Sequence, residues 1–335
     1  MFPINVKETR CDTILSAKCS VFLGLLQADY GKLFLNDPSG SQPVQIILKS
    51  QAVRNGTYFM FKLIVLLFTV LLLQHAPFAN IGRAAWKQLD TGLELGIFQA
   101  PQSSEIGDSL IRILRASPEQ YKLVLLNVSK SESSKNMTAK EWSRNHNLIA
   151  AINAGMYQKD NKTSVAYMKT RSRVINRRLS RDKTILAFDR VNTEVPEVKI
   201  IDRQCDDFST WKTNYQTLIQ SIRMISCTGK NVWQKQATRW STSAIAVDHS
   251  GRVLMIHSRS PYSTHDFIKH LKQLPIGISR AMYLEGGSEA QLFINMKGEQ
   301  YEFLGMSEAN FDGNIHNETA RPIPNVIGLV LKASH

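Results

Sequence analysis

Two small-residue turns, each at the end of an apolar run, constrain this chain more than any other feature. The first is Asn153-Ala154-Gly155-Met156-Tyr157, after Leu148-Ile149-Ala150-Ala151-Ile152. The second is Glu285-Gly286-Gly287-Ser288, after Ala281-Met282-Tyr283-Leu284. Apolar runs of this length bounded by turn signals predict buried strands. A glycine just past a strand admits unusual dihedrals and lets a ligand approach backbone N–H groups closely. Asn153 and Glu285 add polar side chains at the two strand ends, where sites tend to form.

The surrounding elements read as follows. Ser109 to Ser117 and Tyr121 to Val128 are strands joined by the turn Ser117-Pro118-Glu119-Gln120. Thr138-Ala139-Lys140-Glu141 is a capping box that starts a helix over 139–146, feeding the strand that ends at Asn153. Thr184 to Phe188 is a strand, whereas Tyr215 to Met224 fits helix or strand. Ser243 to Val247 and Arg252 to His257 form a hairpin across Asp248-His249-Ser250-Gly251. Ser263 or Thr264 caps a helix that Pro275 stops, and Gln291 to Asn295 with Tyr301 to Leu304 makes a further hairpin. Strands outnumber helices. The expected fold is α+β: a single domain over 80–335 around a mixed, largely antiparallel sheet with flanking helices.

Composition narrows the function. Of 335 residues, 43% are hydrophobic and 21% charged, so the chain is globular rather than disordered. The net charge of +13 favours anionic neighbours but does not by itself signal nucleic acid, and none is expected as a partner. The densest basic group is Lys169, Arg171, Arg173, Arg177, Arg178, Arg181 and Lys183, without interleaved aromatics. It reads as a solvated face or as an anion-attracting rim near the first turn.

The eleven apolar residues from Leu63 to Leu73 are too few for a comfortable membrane span, which needs about 20. Lys62 before them and Ala76-Pro77-Phe78-Ala79 after them give the layout of a secretory signal over 60–79. Met60 is then the expected true start and residues 1–59 an upstream extension; a buried core helix or an uncleaved anchor is the alternative. Membrane contact would come only through this segment. Export would let Cys205 and Cys227 pair, though free buried thiols fit equally the 22-residue separation. No zinc spacing, nucleophile elbow, Walker loop or calcium loop appears, so no metal or cofactor is expected.

A strand into Asn-Ala-Gly-Met-Tyr, a later Ser243-Ala244-Ile245-Ala246-Val247-Asp248 strand, a helix, and then Tyr283-Leu284-Glu285-Gly286-Gly287-Ser288 follow one another in this order. The order resembles the phosphodiester glycosidase domain, found in many exported bacterial proteins and in the enzyme that uncovers mannose 6-phosphate on lysosomal proteins. The resemblance covers roughly 109–331. Glu285 stands where the family usually has Asp, and Glu289 where a small residue is usual. The family's Arg is absent from the middle strand, with Arg239 a few residues earlier.

The resemblance implies a secreted or periplasmic hydrolase that cleaves a sugar phosphodiester or a related glycosidic bond in an extracytoplasmic glycan. Such chemistry needs a group to activate water, and stabilisation of both an oxocarbenium-like sugar and a leaving phosphate. Glu285 is the expected base or electrostatic stabiliser, Asn153 the group orienting a sugar hydroxyl or water, and Arg239 the phosphate clamp. The N–H groups of Gly286, Gly287 and Ser288 would form an anion nest, with Gly155 and His257 also on the substrate side. The alternative is a non-catalytic module on the same fold that binds an anionic polysaccharide.

Overall fold

The computed structural model describes residues 86–128, 135–171, 173–306 and 319–333, with the backbone of Leu33–Leu35 and Val44–Ile46. The chain divides into two units, Met1–Ala79 and Asn80–His335. In the first, strands β1 (Leu33–Leu35) and β2 (Val44–Ile46) pair antiparallel, with Leu33 opposite Ile46. The expected signal segment over 60–79 lies outside the described residues. Among those residues no helix is long and apolar enough to cross a membrane.

The second unit contains three sheets, and every strand pairing described is antiparallel. In chain order its strands begin with β3 (Trp86–Asp90), β4 (Leu93–Gln99), β5 (Leu110–Ala116), β6 (Tyr121–Asn127), β7 (Ala150–Asn153), β8 (Met168–Lys169) and β9 (Val174–Asn176). After them come β10 (Thr184–Arg190), β11 (Lys199–Asp202), β12 (Tyr215–Ser221), β13 (Arg223–Ile225), β14 (Trp240–Asp248), β15 (Val253–Tyr262) and β16 (Ile278–Gly286). The last are β17 (Gln291–Met296), β18 (Glu299–Leu304) and β19 (Asn325–Leu331). One sheet has seven strands in the order β13-β16-β14-β15-β5-β4-β3. The other two have five each, β18-β17-β7-β19-β6 and β11-β10-β12-β8-β9.

The expected α+β class holds, with the single mixed sheet replaced by three antiparallel ones. The reason lies in the connections. The turn at 117–120 does not fold β6 back onto β5: β5 pairs with β4 and β15, whereas β6 pairs with β19 in a different sheet. A second crossing, Gly287–Glu289, carries the chain from β16 into β17. The stretch after Tyr215 resolves as strand. Six of the seven β12 residues are buried, so no two-fold polar alternation shows in its sequence.

The sheets share one core. Leu95 and Leu114 of the seven-stranded sheet, Ile152 and Ile327 of one five-stranded sheet, and Leu186 and Ile219 of the other belong to the same buried cluster. Each such side chain contributes about 1.5–3 kcal/mol relative to exposure. Helices cover the outer faces. In α1 (Ala139–Asn145) the capping box forms as expected: the Glu141 carboxylate accepts from Thr138 N–H at 2.7 Å, and the Thr138 hydroxyl accepts from Glu141 N–H at 3.2 Å. The short α2 (Phe208–Trp211) follows β11. The last helix, α3 (Thr264–Gln273), is capped by Ser263 and buries Phe267, Ile268 and Leu271 against the seven-stranded sheet. Cys205 and Cys227 form a disulfide, which resolves the choice between paired and free thiols.

Candidate functional site

The site lies where the seven-stranded sheet passes the chain to a five-stranded one. Glu285 is the last residue but one of β16, opposite Ser243 of β14, while Tyr283 sits opposite Ala244. Leu284 is therefore an extra residue in the ladder. Such a bulge redirects the side chains beside it and is common next to active sites. Leu284 enters the shared core, and Tyr283 and Glu285 line a cavity of about 520 Å³.

One wall of the cavity is aromatic and apolar: Trp233, Trp240 and Tyr283, with Met156 and Ile222. Trp233 and Tyr283 lie 5.6 Å apart, ring centre to ring centre. The buried indole N–H of Trp240 has no acceptor among the described residues. The rest of the lining is polar: Glu285, the Gly286–Ser288 segment, Glu289 and Arg321. Arg321 pairs with Glu289 at 3.1 Å, and the Ser288 hydroxyl donates to the same carboxylate at 3.0 Å.

Glu285 has a different setting. Its carboxylate accepts one hydrogen bond, from Gly286 N–H at 3.1 Å. Desolvation by the surrounding protein, reinforced by the charge of Glu289 and only partly offset by that bond, pushes its pKa up to about 7. A carboxyl poised near neutrality can exchange protons with bound water or substrate. The Tyr283 and Tyr157 phenols are raised too, by burial and by the nearby charges of Glu285 and Glu289.

The other expected site residues fall into three groups. Asn153 is buried and does not line the cavity; it holds the crossing in place. Its amide donates to Glu289 C=O at 2.7 Å, and its oxygen accepts from Gln291 N–H at 2.8 Å and from Ser243 Oγ at 3.0 Å. It thus braces both sides of Ala290. Gly155 supports the turn before Met156 with a φ of +119°, a region where a Cβ is strained.

Gly286 is required by close approach, because an added Cβ would collide with the Tyr283 hydroxyl and lie 2.8 Å from Trp240 Cδ1. Its N–H is occupied by Glu285, which leaves the expected anion nest to Gly287 and Ser288. Gly287 adopts a φ of +64° in the crossing itself.

His257 and Arg239 stand apart from the cavity. His257 is fully buried, with Nε2 3.3 Å from Ala290 O and its ring stacked on Phe303. Burial, helped by the charge of Arg112, drives its pKa down to about 3. Arg239 is 55% exposed, and its nearest carboxylate is Glu105, 3.8 Å away. The guanidinium that lines the cavity is instead that of Arg321, whose backbone oxygen is held by Gln291 Nε2 at 2.6 Å. No local sequence signal marks Arg321, which lies 32 residues beyond Glu289. Asp202, Cys205 and Cys227 could group about a metal by position, but the two sulfurs are bonded to each other.

These features define a class: a β-rich α+β fold with two carboxylates and a guanidinium in a half-aromatic cavity at a seam between sheets. The profile of the phosphodiester glycosidase family matches residues 146–330, and the chain belongs to that family. Among solved structures it is similar to the catalytic domain of zebrafish N-acetylglucosamine-1-phosphodiester α-N-acetylglucosaminidase, auto-inhibited by its pro-peptide. That likeness has 13% identity, a TM-score of 0.53, and coverage of 73% of this chain and 85% of that one. A hypothetical protein from Synechocystis is 14% identical with a TM-score of 0.50, over 75% of this chain and 64% of that one. Likeness at these identities speaks for the fold. No curated protein matches the sequence.

Proposed function

We propose that this chain is an exported hydrolase that cleaves the bond between a sugar's anomeric carbon and a phosphodiester. The observation that carries the reading is Glu285, a poorly solvated carboxyl with a pKa near 7, lining the same cavity as three aromatic side chains and the Glu289–Arg321 pair. In this reaction water attacks the anomeric carbon, and Glu285 accepts its proton. The carbon–oxygen bond to phosphate breaks with the electron pair leaving on the phosphate oxygen, giving a free sugar and a phosphomonoester. Arg321 and the Gly287–Ser288 backbone offset the charge on the departing phosphate. Glu289 stabilises positive charge that develops on the sugar ring. Trp233, Trp240 and Tyr283 take the apolar face of the sugar. Asn153 acts by positioning Glu289.

Export is supported by the Cys205–Cys227 disulfide, since such bonds persist in oxidising compartments. The name of the zebrafish relative makes an N-acetylglucosamine-1-phosphodiester the first substrate to try. The test is turnover of a para-nitrophenyl N-acetylglucosamine-1-phosphodiester by the native chain beside its Glu285→Gln variant. Sugar release that disappears in a folded variant is the expected result. Release at equal rates would remove Glu285 from the reaction, and tight binding without release would favour a non-catalytic module.

A further inference from the structure

The chain's positive charge is concentrated in one place. Between Lys159 and Lys183 lie nine Lys and Arg residues against two acids, more than half of the net +13. Arg171 is engaged with Asp189 at 2.6 Å. Arg177, Arg178, Arg181 and Lys183 are exposed, and among the described residues no carboxylate pairs with them. Cations held close together without counter-charges repel one another, an arrangement that a bound polyanion relieves.

The segment bearing them is braced. Buried Gln220 accepts from Ser180 N–H at 2.9 Å and donates to Asp182 O at 2.8 Å, while Arg203 donates to the same two residues' carbonyls at 2.8 and 3.0 Å. The backbone is thus fixed on both sides of Arg181. The segment is also tied to the cavity. Asn176 Nδ2 donates to Ser164 O at 2.6 Å, and the next residue, Val165, donates its N–H to the carbonyl of Met156, which lines the cavity wall.

We infer that the braced segment from Arg177 to Lys183 is a docking surface for a polymer of repeating sugar phosphodiesters, holding repeats adjacent to the one in the cavity. The choice of polymer rests on the glycosidase reading; the surface itself does not. Val174 and Leu179 are exposed among the cations and suit a ligand that alternates charge with sugar faces. No aromatic residue occurs from Thr170 to Thr184, so the segment lacks both stacking platforms for nucleic-acid bases and aromatic anchors for a bilayer.

The test uses an immobilised polymer of N-acetylglucosamine 1-phosphate and the full chain carrying Glu285→Gln, so that binding is read without cleavage. Adding Arg177→Gln, Arg178→Gln, Arg181→Gln and Lys183→Gln together should weaken binding roughly tenfold or more at low salt, the difference fading at high salt. A matched set with Arg→Lys at the three arginines should keep the affinity, which separates charge from folding. In the otherwise native chain, the four Gln substitutions should leave turnover of a single-repeat phosphodiester within about twofold.

Equal polymer affinity with and without the four cations overturns the proposal. So does retention of the native chain on phosphatidylglycerol vesicles but not on the polymer. Cation-dependent polymer binding by a chain that cleaves nothing upholds the surface while removing the glycosidase reading. Cleavage of single repeats with polymer affinity untouched does the reverse.

Discussion

Two cavities among the described residues teach opposite lessons about charge. The larger, about 660 Å³, lies between β6 and the β10–β11 pair and contains more ionisable groups. Its two less exposed acids are matched, with the third, Glu119, out in solvent: Asp189 is bonded to Arg171 and to the Thr217 hydroxyl, and Glu197 meets both Arg190 and Lys332 at 2.9 Å. The smaller cavity holds Glu285, whose carboxylate has, among the described residues, one backbone donor and no paired cation. A matched ion pair adds little to stability and leaves no group poised for reaction. An acid left short of partners costs the fold something, and that cost is the signature of a group kept for chemistry. Size alone would choose the larger cavity; charge matching chooses the other.

The strongest way to break this comparison is Glu285→Gln. Turnover should fall by about 10²–10⁴-fold, the usual worth of a positioned general base. In the native chain kcat/KM should rise with pH through about 7, as the carboxyl loses its proton, and the variant should show no such step. Stability moves the other way. The carboxyl's pKa is about 7 when folded and near 4.5 when unfolded, so between those values the folded state holds a proton the unfolded chain has released. Stability therefore falls as pH rises through that window, by about 3 kcal/mol at most. Chemical denaturation at pH 8 should find the Gln variant more stable than the native chain, with the gap closing below pH 4.5. A native chain that gains stability from pH 5 to 7 relative to the variant would contradict this assignment.

Smaller effects should separate residues that line the cavity from those that do not. Arg321→Gln removes a charge-assisted contact and should lower kcat/KM by about 10–100-fold. Arg239→Gln, at an exposed and loosely paired position, should change it by less than about twofold. Steady-state kinetics on the pair would decide which guanidinium serves the phosphate. Asn153→Ala leaves the Gln291 N–H and the Glu289 carbonyl without partners, and should cost about 2–4 kcal/mol by denaturant titration.

How far the sequence revealed all this depended on whether the relevant physics was local. The capping box at Thr138, the Ser263 cap, the 248–251 hairpin turn and the two glycine turns each act within a few residues, and each forms as read. Glu285 was visible because it ends an apolar run. The three-sheet arrangement was not, because a Pro-containing turn that closes a hairpin and one that sends a strand to another sheet share the same residues. Arg321 and the Trp233–Trp240 wall reach the cavity from distant segments without a motif. Arg239 and His257 drew attention through sequence proximity to the right strands, yet one sits in solvent and the other in the core. A strand's sequence gives alternation, but not which face meets the cavity.

The smallest expected effect bears on the larger cavity. Glu197→Gln removes the shared partner of Arg190 and Lys332, both partly exposed, and should cost no more than about 1 kcal/mol. Arg190 should stay in place, because its guanidinium also donates to the carbonyls of Thr193 and Val195, each at 2.7 Å. With that geometry preserved, nothing should reach the seam that holds Glu285, and turnover of the sugar phosphodiester should match the native rate. A tenfold loss of turnover at unchanged stability would mean that the well-matched cavity takes part in the reaction. Charge matching would then no longer distinguish a structural cavity from a functional one in this fold.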